Sequence, residues 1–242
     1  MRFYRLANRN MKEIYRDPIS ILLGLVMPVA LLILFSSIYK KIQLEMFSPQ
    51  SLTSGIIIFS FAFLTMFSGT LLAKDKQSAF LIRLFTTPLK PSDFILAYTL
   101  PFIPIAFCQV FVCFVIGAIL GATFSNILAS LVIFFFVAMI CISLGMIVGS
   151  LFTVNQVSGI GAFLITAISL FSGAWMDLKM IGGVFETIGY ALPFAYAVDA
   201  SNGLLKGSSF VEIISDFYFI LLSTIVLIIF AILSFKWTMR KI

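Results

Sequence analysis

The sequence predicts an all-α fold. It reads as a polytopic membrane protein with six transmembrane helices, an N-terminal amphipathic interfacial helix, and short re-entrant helices before the last span. Three observations carry this. The 242 residues are 61% hydrophobic and 11% charged, whereas a soluble domain of ordinary composition is about one-quarter charged. Six apolar stretches (19–39, 55–73, 97–121, 127–152, 157–175 and 217–235) meet or approach the ~20 residues that a helix needs to cross the hydrocarbon core. The basic residues are also sorted. Arg2, Arg5, Arg9, Lys12 and Arg16, then Lys74, Lys76, Arg83 and Lys90, then Lys236, Arg240 and Lys241 make twelve of the sixteen. That asymmetry places both termini in the cytoplasm. The net charge of +6 is then a topology signal, with no nucleic acid implied.

Residues 1–17 form the interfacial unit and 18–242 the transmembrane domain. In a helix over 2–16 the five basic residues fall within an arc of roughly 80°, opposite Phe3, Leu6, Ala7, Met11, Ile14 and Tyr15. Such a helix lies in the headgroup layer, apolar face toward the lipid and basic face toward anionic lipid or a cytoplasmic partner. Asp17-Pro18 ends it. Pro28 in the first span, and Pro101 and Pro104 at the start of the third, are expected to bend their helices. Gly117/Gly121 and Gly145/Gly149 form two GxxxG pairs, read as packing contacts within the chain. Residues 176–216 are mixed in polarity and rich in glycine. Within them, 188–205 reads as two short helical pieces, broken at Pro193 and near Gly203, re-entrant in the outer half of the bilayer.

Several function classes are excluded or weakened. The six stretches contain no Asp, Glu, Lys or Arg, so an ion-coupled carrier lacks its usual titratable group at depth. The chain has no His, which removes the commonest metal ligand and catalytic base; no metal site is expected. Cys108, Cys113 and Cys141 lie inside apolar stretches and read as packing residues. No cleavable signal peptide is evident, and no GxxxxGK[ST] phosphate loop is present. The chain is therefore not expected to be an enzyme or to bind a cofactor itself. Uphill transport would draw its energy from another subunit.

The docking candidate for such a subunit is the charged cytoplasmic segment 74–93. Phe80, Leu81, Leu84 and Phe85 recur at helical spacing, Lys76 and Arg83 lie on other faces, and Thr86-Thr87-Pro88 ends the run. A short helix with that apolar ridge fits a groove on a cytoplasmic protein. A membrane-surface helix with no partner satisfies the same periodicity.

With these features in order, the chain resembles the permeases of ABC type-2 transporters, the membrane subunits of bacterial exporters. The resemblance rests on the amphipathic N-terminal helix, six spans, Thr87-Pro88-Leu89 after the second span, and the Pro-x-x-Tyr-x-x-Asp element Pro193, Tyr196, Asp199. Where many members carry Glu-Arg-Glu-x-Gly-Thr, this chain has Asp75-Lys76-Gln77-Ser78-Ala79-Phe80, keeping the leading acid and base. The resemblance implies that 74–85 is a coupling helix, with Asp75, Lys76, Phe80, Leu81, Arg83, Leu84, Thr87 and Pro88 in contact with a P-loop ATPase. It implies two ATPase copies holding ATP and Mg, a second permease chain (identical or related), and location in a bacterial inner membrane. It implies a substrate path at the permease dimer interface and an outer gate at Pro193, Tyr196 and Asp199.

Phe59, Phe63 and Phe67 share a face of the second span, and Phe163, Thr166 and Leu170 a face of the fifth. Both faces are candidates for the path of an amphipathic or lipophilic substrate, and packing or lipid contact makes the same demand for phenylalanine. A passive oligomeric channel or scaffold is the alternative function; a channel should show a polar stripe along a span, and none is evident.

Overall fold

The computed structural model describes residues 2–44, 47–78, 80 and 91–239, and structural statements below concern those. They are organised as helices α1 (Arg2–Tyr15), α2 (Pro18–Ile42), α3 (Pro49–Gln77), α4 (Pro91–Thr99), α5 (Phe102–Ile119), α6 (Ile127–Leu151), α7 (Val154–Phe171), α8 (Leu178–Ile181), α9 (Gly183–Ala191), α10 (Pro193–Lys206) and α11 (Ile214–Met239). Six spans long and apolar enough to cross a membrane are built from α2, α3, α4 with α5, α6, α7 and α11, so the chain is a multi-pass membrane protein. One end of the bundle gathers α1, the end of α3, α4 and the end of α11; we call it the basic end. The short helices α8 to α10 lie at the far end.

Two spans differ from their expected bounds. The second runs from Pro49, where the Ser48 hydroxyl accepts from the Ser51 N–H at 3.4 Å, to Gln77, and so takes in the first residues of the charged segment. The third is two helices. Pro101 has no N–H to return to Ala97, so the chain breaks after Leu100 and restarts at Phe102. This leaves α4 as a separate short helix whose Phe94, Ile95, Ala97 and Tyr98 are buried.

The axis of the bundle is α3, buried along most of its length and packed on α6. Close approach is made possible by the Gly145/Gly149 pair. A Cβ at Gly145 would strike Ser68 Oγ and Thr65 O, and one at Gly149 would strike the Gly69 backbone. The other pair divides its work: Gly117 sits against Thr53, while Gly121 packs against nothing and ends α5 with φ +99°. The reading of both pairs as packing contacts therefore holds at three glycines and fails at Gly121.

Pro28 leaves the Gly24 carbonyl without its helical donor. The Gln109 side chain supplies one, donating from Nε2 to Gly24 O at 3.0 Å and to Ser60 O at 3.3 Å. One buried amide thus ties α2, α3 and α5 together.

The break expected near Gly203 does not occur. Helix α10 continues through it to Lys206 and stops at Gly207, in the left-handed region at φ +106°. A single glycine weakens a helix by only about 1 kcal/mol, and burial of Ser201, Leu204 and Leu205 on either side of it outweighs that.

Candidate functional site

At the basic end, the last turn of α3 turns its charges inward. Asp75 is buried, accepts from Arg9 Nη1 of α1, and accepts from the Tyr98 hydroxyl of α4 at 2.6 Å. Asn10 completes the join, accepting from Arg9 at 3.1 Å and donating to Ala97 O at 3.2 Å. Burial alone would lower the Arg9 pKa, but the hydrogen bond and charge of Asp75 outweigh it and raise it, so Arg9 stays charged. Its guanidinium also lies 4.4 Å from the centre of the Phe80 ring. Lys76 donates to Ser150 O at 2.7 Å and Phe152 O at 2.8 Å, covering the open carbonyls at the end of α6.

Helix α1 is therefore docked on α4. Leu6, Ala7 and Asn10 are buried on α4, while Tyr4 and Tyr15 remain exposed. Of the expected coupling residues, Asp75, Lys76 and Phe80 are brought together with α1, α4 and α6. Leu81, Arg83, Leu84, Thr87 and Pro88 lie outside the described residues.

Two clefts sit at opposite ends of one aromatic column. A cleft of about 490 Å³ opens at the basic end among α1, α2, α3, α5 and α7, with Met66, Phe67 and Leu71 of α3 in its wall. From Phe67 the rings continue to Phe63 (6.1 Å between centroids) and Phe59 (5.4 Å). Phe59 meets Trp175 at 5.2 Å, which in turn meets Phe35, also at 5.2 Å. Trp175 lines a second cleft, of about 230 Å³, together with Ser51, Asp177, Asp199, Asn202 and Lys206. No ionisable side chain interrupts the column. Trp175, at the far end of it, was absent from the sequence-derived set because nothing in its local spacing links it to Phe59.

The far end carries a second polar cluster. The Tyr190 hydroxyl donates to Asp199 at 2.5 Å, and Lys179 stands 3.4 Å from the same carboxylate. Burial, then the bond to Asp199, raises the Tyr190 pKa. Tyr196 packs between Tyr190 (5.3 Å) and Phe219 (4.5 Å). Pro193 opens α10 at its first position. Pro193, Tyr196 and Asp199 thus share one short helix beside the second cleft.

Phe163, Thr166 and Leu170 are not joined to the column. All three are exposed on the side of α7 turned away from α3, with Phe163 70% exposed. The same strip carries Asn155, Gly159 and Ala162, whereas Ser158 lines the cleft at the basic end. Helix α11 is as exposed, yet its outward face is Leu222, Ile225, Val226, Ile229, Phe230 and Leu233. The α11 face of large apolar groups suits lipid chains; the α7 face mixes Phe163 and Leu170 with small and polar residues, which allow closer approach by another helix.

Comparison with known proteins gives two findings. The family model described as "ABC-2 type transporter" matches residues 1–205. The chain is 32% identical over 142 residues to the protein named "Putative transport permease ycf38" of Cyanophora paradoxa, a match covering 54% of this chain and 47% of that one. It is 33% identical over 89 residues to the protein of the same name from Pyropia yezoensis, covering 35% and 31%. The chain thus spans less than half the length of the curated relatives it matches.

Proposed function

The chain belongs to the ABC-2 type transporter family and is a membrane transport permease; from that premise we propose that it is the membrane half of an exporter. In this reading it moves an amphipathic or lipophilic compound outward, with energy from a separate P-loop ATPase. The family implies an ATPase partner in general. Two ATPase copies, holding ATP and Mg, and a second permease chain complete the proposed unit. The basic end faces the cytoplasm, and the membrane is the inner membrane of a bacterium.

The observation that carries the reading is the aromatic column between two clefts. Phe67, Phe63, Phe59 and Trp175 form an uncharged route along α3, and α3 is the helix whose last turn leads into the charged segment. A push on that segment reaches α3 directly. Because Asp75 holds Arg9 and Tyr98, α1 and α4 are carried with it. Asp75 and Lys76 act in this scheme as internal braces, and the ridge from Phe80 onward makes the contact with the ATPase. The mixed strip of α7 faces the second permease, so that Phe163, Thr166 and Leu170 meet the path only in the dimer. At the far end, α8 to α10 are the re-entrant outer gate, with Lys179, Tyr190 and Asp199 as its latch.

The test is purification from the native cell in a mild detergent shown to preserve the assembly, with mass spectrometry of retained subunits. A P-loop ATPase held at equal stoichiometry, and lost on Phe80→Asp with the permease still in the membrane, supports the reading. An intact assembly with no nucleotide-binding subunit would overturn it in favour of a passive channel or scaffold.

A further inference from the structure

The cleft at the basic end has a graded lining. Its rim carries Arg16, Lys74, Glu13 and Asp17, and its depth carries Met66, Phe67, Leu71, Phe102 and Ile105. Among the described residues, neither Arg16 nor Lys74 is paired with a carboxylate. Asp17 is occupied elsewhere: its two carboxylate oxygens accept from the Ser20 N–H at 3.3 Å and the Ser20 hydroxyl at 2.8 Å, capping α2. Two cations, Arg16 and Lys74, and two acids, Glu13 and the Ser20-bonded Asp17, therefore stand over an apolar slot, a balance that suits a zwitterionic headgroup. The volume, about 490 Å³, lies within the range of roughly 300–1,000 Å³ typical of ligand sites.

Polar above and apolar below, in one continuous cleft, is the complement of an amphiphile. We propose that this cleft binds a phosphate-bearing amphiphile of the phospholipid class, its phosphate between Arg16 and Lys74 and its chain against Phe67, Leu71, Phe102 and Ile105. Glu13 disfavours a headgroup with further negative charge and accommodates an amine. A molecule seated there rests its chain on Phe67, the foot of the aromatic column, so the inference deepens the transport reading and names its substrate class. Binding itself does not require that the protein export anything.

The experiment is native mass spectrometry of the full chain, purified with whatever subunits accompany it. Phosphatidylethanolamine, a diacylglycerol of the same chains, and glycerol phosphate are offered at equal concentration. Phosphatidylethanolamine should be retained at least fivefold more than diacylglycerol, and glycerol phosphate should not displace it. The double change Arg16→Ala and Lys74→Ala should reduce retention to the diacylglycerol level. The equally basic Arg5→Ala and Lys12→Ala pair, outside the cleft on α1, should leave it intact. Equal retention of both lipids, or equal loss in the two double variants, would mean only annular lipid and would overturn the site. Full displacement by glycerol phosphate would make the ligand a soluble phosphate and overturn the amphiphile. An intact native assembly that contains no nucleotide-binding subunit, with lipid retention unchanged, would sink the exporter reading and leave this one standing.

Discussion

Each end of the bundle holds an acid against a base and a tyrosine, and the two ends are built to different specifications. At the basic end Asp75 is 6% exposed at its side chain and joins three helices through Arg9 and Tyr98. At the far end the Lys179 and Asp199 side chains are 63% and 38% exposed, and the cluster joins the short α8 and α9 to α10. A buried pair with additional hydrogen bonds is strongly destabilised by removal of one partner, because the other charge is stranded. An exposed pair loses little, since water replaces the partner. The contrast bears on the proposed outer gate: the buried pair at the basic end is costly to break, and the exposed pair at the far end is easily broken.

The change that presses hardest on this comparison is Asp75→Ala. It strands Arg9 and removes the acceptor of Tyr98. It should destabilise by about 3 kcal/mol, the lower end for breaking a buried pair, because Arg9 keeps 35% of its side chain exposed. Thermal unfolding in detergent reads the loss, and a cysteine at Ala7, buried between α1 and α4, should become reactive. A wild-type melting curve with Ala7→Cys still protected would mean that the basic end is not held by Asp75.

A smaller effect is expected from Tyr98→Phe, which removes one donor and leaves the ion pair. The expected loss is about 1.5–2 kcal/mol, the lower part of the range of about 1.5–3 kcal/mol for a hydrogen bond to a charged group, again read from thermal unfolding. An effect as large as that of Asp75→Ala would shift the weight of the joint from Arg9 to Tyr98.

The smallest change belongs to the far end. Lys179→Met should cost less than about 1 kcal/mol, and should raise the labelling rate of a cysteine at Tyr196 from the far side while leaving the melting curve almost unmoved. A destabilisation comparable to that at Asp75 would erase the difference between the two ends. The pH dependence follows from Tyr190. Its pKa is raised in the folded protein, so its contribution is complete below the ordinary tyrosine value of about 10 and fades only above it. The latch should therefore respond identically at pH 6.5 and pH 8.5, and labelling kinetics at the two values check this.

Much of the fold was legible because membrane helices are specified by length and apolarity, which are local quantities. The six stretches, the breaks at Asp17-Pro18 and Pro193, and the packing glycines Gly145 and Gly149 could all be read that way. The site was less legible. Asp75 was noticed as part of a charged run, where the expectation is exposure; its burial depends on Arg9, 66 residues before it, and Tyr98, 23 residues after it. Asn10 lies among apolar neighbours on the buried face of α1, and its bonds to Arg9 and to the distant carbonyl of Ala97 account for it. Phe59, Phe63 and Phe67 were identifiable by spacing, but their continuation into Trp175 crosses from α3 to the turn after α7.

From composition, periodicity and the sorting of charge alone come the all-helical class, the six spans and the basic end, because the bilayer imposes its demand on each segment separately. The inward turn of Asp75 and Lys76, the bond from Gln109 to the carbonyl freed by Pro28, and the meeting of Phe59 with Trp175 were decided by the tertiary structure. Each of these depends on a partner distant in the chain, and a buried polar group is stable only where such a partner reaches it.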